Sequence, residues 1–192
     1  MSLALRIAIT APDLSGWRKA CDPRELHEEL GNEYARLLVE HFRAKNAKPN
    51  ARGFPRSNFW NGVAGATAFD SADEKGATVR VADPYGRPML HRYFGGVIRP
   101  GAGRKALALP VRPEAAGVLP RSGAIPDLFV LRSKSSGRAF LARREHGALR
   151  LYFRLVPFVK QAADPTALPP ESVTQDALTA HAETFLRLKL ES

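Results

Sequence analysis

One apolar stripe does most to constrain this chain. Leu26, Leu30, Tyr34, Leu37, Leu38, His41 and Phe42 recur at spacings of three and four, which paints one face of a helix of about five turns. Asp22, Pro23 and Glu25 ahead of it supply a cap, a proline suited to the first helical position and a carboxylate at the third. Asn46, Pro49 and Gly53 end the run. A helix that long must bury its stripe, and most of the remaining chain offers strands to bury it against. Leu3, Leu5, Ile7 and Ile9 alternate with Ala4, Arg6 and Ala8, predicting a first strand before the Pro12–Gly16 turn.

Residues 49–75 carry Gly53, Pro55, Asn61, Gly62 and Gly65 among Phe54, Phe59, Trp60 and Phe69, and read as a long ordered loop with a short helix near Val63–Phe69. Strand signals follow. Ala77–Ala82 lies between turn residues. Val97–Arg99 and Ala106–Val111 flank the glycine-rich Pro100–Gly103 and predict a hairpin. Asp127–Arg132 and Arg138–Arg143 flank Ser133–Gly137 and predict a second. His146-Gly147 then turns the chain into Leu149–Leu155, whose alternation gives an apolar and a wet sheet face. The proline-rich Asp164–Pro170 connects to a last helix, Glu171–Leu190, with Val173, Ala177, His181 and Leu188 near one face. The expected fold class is α+β: an antiparallel β-sheet meander with a long N-terminal helix and a C-terminal helix packed on one face. The expected division is one domain over residues 1–160, followed over 161–192 by a Pro-rich linker and helical arm.

Composition fits that reading. The chain has 192 residues, 44% hydrophobic and 25% charged, a balance ordinary for soluble globular domains. Cys21 is the only cysteine, so no disulfide forms within one chain and a cysteine zinc cluster is excluded. A reducing compartment suits it. The opening MSLALRIAIT lacks the basic start and cleavage site of a signal peptide. The apolar run Leu149–Val159 is broken by Arg150 and Arg154 and is far shorter than the ~20 residues of a membrane span.

Motifs for chemistry fail on their context. His27, Glu28 and Glu29 open a metalloprotease-like pattern, yet Gly31 stands where the second histidine belongs. His41, His91, His146 and His181 lie in four separate elements and read as hydrogen-bonded or surface imidazoles. The glycine loop before Arg104-Lys105 resembles a phosphate loop, but Ala106 and a strand follow where Ser or Thr and a helix are required. No Gly-x-Ser-x-Gly elbow occurs, and Cys21 reads as an ordinary thiol. No catalytic residue, cofactor or metal ligand is expected, and the chain reads as a non-enzyme.

Charge is more telling. The formal net charge is +10, and residues 99–154 carry nine of those charges, with 12 Lys or Arg against 3 acids. On alternating strands Arg150 and Arg154 are expected on one solvent face, while Arg104, Lys105 and Lys134 extend from hairpin tips. Such a surface can simply be a solvated face whose edge charges prevent aggregation. It can also meet nucleic acid or an acidic protein neighbour. Aromatic residues are few there, which argues against single-strand recognition.

The segment HRYFGGVIRPGAGRKALALP, His91–Pro110, is more specific. Its His91, the Gly95-Gly96 pair, Ile98 and Pro100, then basic Lys105 and the short apolar strand of Leu107, Leu109 and Pro110, resemble a segment of bacteriophage tail-completion, or virion morphogenesis, proteins of Mu-like phages. The first strand and a helix ending near Phe42-Arg43 are also similar, so the likeness spans roughly residues 1–160. The helix after residue 164 lies outside it. The resemblance implies a viral structural protein of the head-tail neck or tail end, working as a homo-oligomeric ring that is hexameric by analogy. Other neck, connector or tail proteins are its implied partners, with DNA in the lumen and no membrane. It implies assembly in the bacterial host cytoplasm and residence in the virion. The alternative is a small basic nucleic-acid-binding module. The candidate interface or DNA-facing residues are Gly95, Gly96, Arg99, Arg104, Lys105, Lys134, Arg138, Arg143 and Arg144.

Overall fold

A computed structural model describes residues 3–7, 22–48, 53–55 and 57–191. Cys21, the Pro12–Gly16 turn, Ile9 and the Pro49 helix stop lie outside the described residues. The fold is mixed α+β, with α-helices and antiparallel sheets. Two compact units share the chain: the first gathers 1–48, 58–94 and 163–192, the second 49–57 and 95–162.

In the first unit a three-stranded sheet has the order β1-β3-β2, from β1 (Leu3–Ile7), β2 (Thr67–Asp73) and β3 (Gly76–Val81). Helix α1 (Pro23–Ala47) lies against β2 and β3. It starts where the sequence places it, with Asp22 accepting from the Arg24 amide at 3.0 Å and Pro23 needing no donor. Its buried Leu30, Leu38 and Phe42 come from the stripe and Ala35 joins them, the last three packing with Val63, Val79, Val81 and Met89. Gly31 permits the close approach. A Cβ there would lie 2.6 Å from Phe69 Cδ2 and 2.8 Å from Ala77 Cβ, closer than packed atoms tolerate.

The predicted loop over 49–75 is corrected in part: its short helix forms, four residues earlier than expected. Its second half forms α2 (Phe59–Gly65) and then β2, and Phe69, expected in a helix, pairs with Val79. TAFDSAD carries little apolar alternation of its own, so strand β3 supplies what fixes it. Helix α3 (Gly86–Phe94) was not among the predicted elements; it opens at Gly86, within a glycine and proline turn signal after β3, and Pro88 in its first turn removes no needed bond.

The last helix, α4 (Glu171–Glu191), packs on α1, where His181 Nε2 meets Glu29 Oε1 at 3.1 Å and Lys189 pairs with Glu25. Its buried residues are Leu178 and Leu186, two turns apart. Val173 and Leu188, expected on the packed face, are 59% and 62% exposed.

In the second unit β4 (Gly96–Ile98) pairs with β9 (Val159–Gln161) as a two-stranded ribbon. A four-stranded sheet has the order β5-β8-β7-β6, from β5 (Leu107–Pro110), β6 (Phe129–Arg132), β7 (Ala139–Glu145) and β8 (Ala148–Val156). Both turns predicted at 133–137 and 146–147 form. The hairpin predicted between residues 97–99 and 106–111 does not: those strands pair with β9 and β8. A loop as long as Arg99–Ala106 sets no register, unlike His146-Gly147, a two-residue turn with φ of +47° and +79°. Ala115, Tyr152 and Phe153 form this unit's core, flanked by Ala108, Ile125, Leu128 and Leu141.

Candidate functional site

The basic residues are arranged by a bulge. Leu141 faces Phe153 and its neighbour Ala142 faces Leu151, so Tyr152 is an extra residue on β8. Directly opposed residues share a sheet face, and the bulge therefore switches parity along β8. Arg154 opposes Phe140 and Arg150 opposes Arg143, which puts the two arginines on opposite faces. The expectation of one shared solvent face is corrected.

Arg143 and Arg144, adjacent on β7, likewise point to opposite faces. Arg143 stands directly across from Arg150, a like-charge pairing that costs stability unless neutralised. Glu145 neutralises it, with Oε1 at 3.4 Å from Arg143 Nη1 and Oε2 at 3.2 Å from Arg150 Nε. The buried Tyr152 hydroxyl donates to the same carboxylate. That hydrogen bond first, and the Arg150 and Arg143 guanidiniums after it, hold the Glu145 carboxyl below its ordinary value, while the same hydrogen bond first and burial after it push the Tyr152 hydroxyl up. Arg112 Nε donates to the Leu151 carbonyl at 3.1 Å and is tied to the bulge as well.

The other predicted residues sit in turns. Gly95, with φ of +72°, and Gly96, with φ of +146°, carry the chain out of α3 into β4. Arg99 lies over the Phe158 ring, 5.8 Å from its centroid. The Arg104 amide donates to the Gly101 carbonyl at 3.1 Å, leaving the Arg104 and Lys105 side chains exposed. In the β6–β7 turn the Ser133 amide donates to the Arg138 carbonyl at 2.9 Å, and the Ser136 hydroxyl donates to Ser133 Oγ at 2.9 Å. Lys134 and Arg138 are exposed there.

Topology divides this set. Leu107 opposes Val156, Leu155 opposes Ala139, and Ala139 opposes Arg132. The start of β5, the end of β8 and the β6–β7 turn therefore share one end of the sheet. Arg104, Lys105, Arg132, Lys134 and Arg138 gather at that end, and Arg143, Arg144 and Arg150 at the other. Residues 95–162 hold 13 Lys or Arg and 3 acids, the whole of the +10. Those acids are Glu114, four residues past the far end of β5, Asp127, two before β6, and Glu145 at the β7–β8 turn. None falls at the first end.

The first unit holds a cluster that sequence reasoning missed. Phe42 stacks on Trp60 with centroids 5.7 Å apart, Phe59 meets Trp60 edge-on, Arg92 lies 4.3 Å from the Phe59 centroid and Lys45 4.9 Å from that of Trp60. Lys45 Nζ also reaches Asp164 Oδ2 at 3.0 Å. The adjacent Phe59-Trp60, in a stretch read as loop, was the available signal. Burial lowers the affinity of His41 for a proton, against a hydrogen bond to the Thr166 carbonyl at 3.0 Å that favours it. His91 Nε2 is buried without a hydrogen-bond partner.

Among the described residues no group of three His, Cys, Asp or Glu side chains is placed to hold a metal ion, and no helix is long and apolar enough to cross a membrane. No family model, curated protein or solved structure matches the chain.

Proposed function

We propose that the chain is a structural, non-enzymatic component of a bacteriophage or prophage particle. It acts at the head-tail neck or tail end as a homo-oligomeric ring, hexameric by analogy with the proteins its His91–Pro110 segment resembles. The observation that carries this reading is the apolar display in that same segment: Phe94 is 69% exposed, Val97 45% and Ile98 37%. Val97 and Ile98 belong to a ribbon of only two short strands, an arrangement marginal by itself and strengthened by whatever packs on it. A ring needs heterologous contacts, with one surface meeting a different one on the next copy, and an exposed apolar ribbon suits that role. Neighbouring neck, connector and tail proteins are the other partners.

Mass photometry of the purified chain, with mass spectrometry of purified particles, tests the proposal. Discrete multimers and a place in the particle are expected. A strictly monomeric protein absent from particles overturns it. A second reading, a small basic nucleic-acid-binding module, draws on a separate observation, the confinement of the net charge to residues 95–162.

A further inference from the structure

We propose that one end of the four-stranded sheet, the end carrying Arg104, Lys105, Arg132, Lys134 and Arg138, binds the phosphate backbone of double-stranded nucleic acid. The inference rests on the nucleic-acid reading of the second unit and does not need the ring. Three observations carry it.

The first is segregation within the unit. The ion pairs of residues 95–162 among the described residues, Arg143–Glu145 and Arg150–Glu145, both lie at the opposite end. The five cations of the proposed surface have no acidic side chain on the strands and turns around them. A solvated face whose charges serve only solubility mixes the two signs; here they are sorted.

The second is spacing. Strand β5 and strand β6 are the two edges of the sheet. Two to three interstrand steps of about 4.8 Å set the Arg104-Lys105 corner roughly 10–14 Å from the Lys134-Arg138 turn. That span is comparable to the ~12 Å width of the major groove of B-form DNA, so the two corners can contact phosphates on both strands. Exposed Ser135 and Ser136 between Lys134 and Arg138 add hydroxyls of the kind that bind phosphate oxygens.

The third is what the two tips lack. None of the exposed large apolar side chains, Phe94, Val97, Ile98, Phe129 and Phe158 among them, lies in 100–106 or 133–138. A protein interface is built around buried aromatic or aliphatic anchors, and single-stranded nucleic acid around stacking platforms. A surface of cations, serines and glycines with neither fits a duplex backbone.

Fluorescence anisotropy of the full chain with a labelled mixed-sequence duplex, followed across salt concentration, tests this. Binding should weaken linearly on logarithmic axes, by about 0.9 per phosphate contact. Lys134→Gln with Arg138→Gln should weaken it at least tenfold near 100 mM salt and lower the slope by about two. Arg104→Gln with Lys105→Gln, at the other corner, should do the same, so the result does not depend on one variant folding. Arg144→Gln with Arg150→Gln removes the same charge from the opposite end and should change affinity less than about threefold. Absent or salt-independent binding overturns the proposal, as does an equal loss from both ends. Polyglutamate of matched charge binding as tightly as the duplex also overturns it, in favour of an acidic protein. Intact duplex binding in a chain that forms no multimers sinks the ring and leaves this surface standing.

Discussion

Gly95 follows the last residue of α3 with φ of +72°, the left-handed position at which helices commonly end. A side chain there costs about 1–2 kcal/mol, and a β-branched one the most. Gly95→Val should therefore lower the urea midpoint by an amount corresponding to about 1–2 kcal/mol, and Gly95→Asn, which enters this conformation more readily, by distinctly less. Equal midpoints for wild type and Gly95→Val would remove this residue from the account. A backbone requirement was legible there, because two adjacent glycines just ahead of a strand supply a freedom few other residues have, although the helix they end was not. The fate of Arg143 was not. Whether it faces solvent alone or stands opposite Arg150 under a shared Glu145 depends on one extra residue in β8, and the alternation of Leu149, Leu151, Phe153 and Leu155 gives no sign of that residue.

Elements with local signals were read well and elements held by their neighbours were not. Helix α1 announced itself through its cap and stripe, and the β6–β7 and β7–β8 turns through their glycines. Strand β2 carries little apolar alternation and is fixed by β3 across the short Glu74-Lys75 turn, whereas the β4–β9 ribbon depends on partners distant in sequence that nothing local names. The 163–170 connector is likewise held from afar. Asp164 accepts from Lys45 Nζ at 3.0 Å, from the Thr166 amide at 3.1 Å and from the Thr166 hydroxyl at 2.6 Å. Partial burial opposes ionisation, but the Thr166 and Lys45 contacts outweigh it and hold the carboxyl below its ordinary value. The group is more than a third exposed, so Asp164→Ala should cost only about 1 kcal/mol. The sign follows from linkage: a depressed carboxylate contributes its stabilisation above the unfolded value near pH 4 and loses it as pH falls further. In urea titrations the gap between wild type and Asp164→Ala should hold from about pH 7 to 5 and close toward about pH 3. A gap that widens in acid would show that the carboxylate is not the stabilising group.

Each compact unit has its own core, and the two are unequal. Among the described residues eight buried side chains form the first, from α1, α2, β3 and α3, whereas Ala115, Tyr152 and Phe153 form the second. The second unit also carries the positive charge, with 15 Lys or Arg against 3 acids over residues 49–57 and 95–162, while the first holds 14 against 16. A small core under one sign of charge is pushed apart by self-repulsion, and the repulsion is screened once the Debye length falls below the spacing between charges. Raising salt from about 20 to about 300 mM shortens that length from roughly 20 Å to roughly 6 Å. Hydrogen exchange followed by mass spectrometry should then show protection rising across β5–β8, while α1, β2 and β3, in the nearly neutral unit, change little. The same screening weakens duplex binding, so salt should drive the two readouts in opposite directions. Protection in β5–β8 that falls with salt would mean that the cations are already paired within the chain and would leave no free charge for a polyanion.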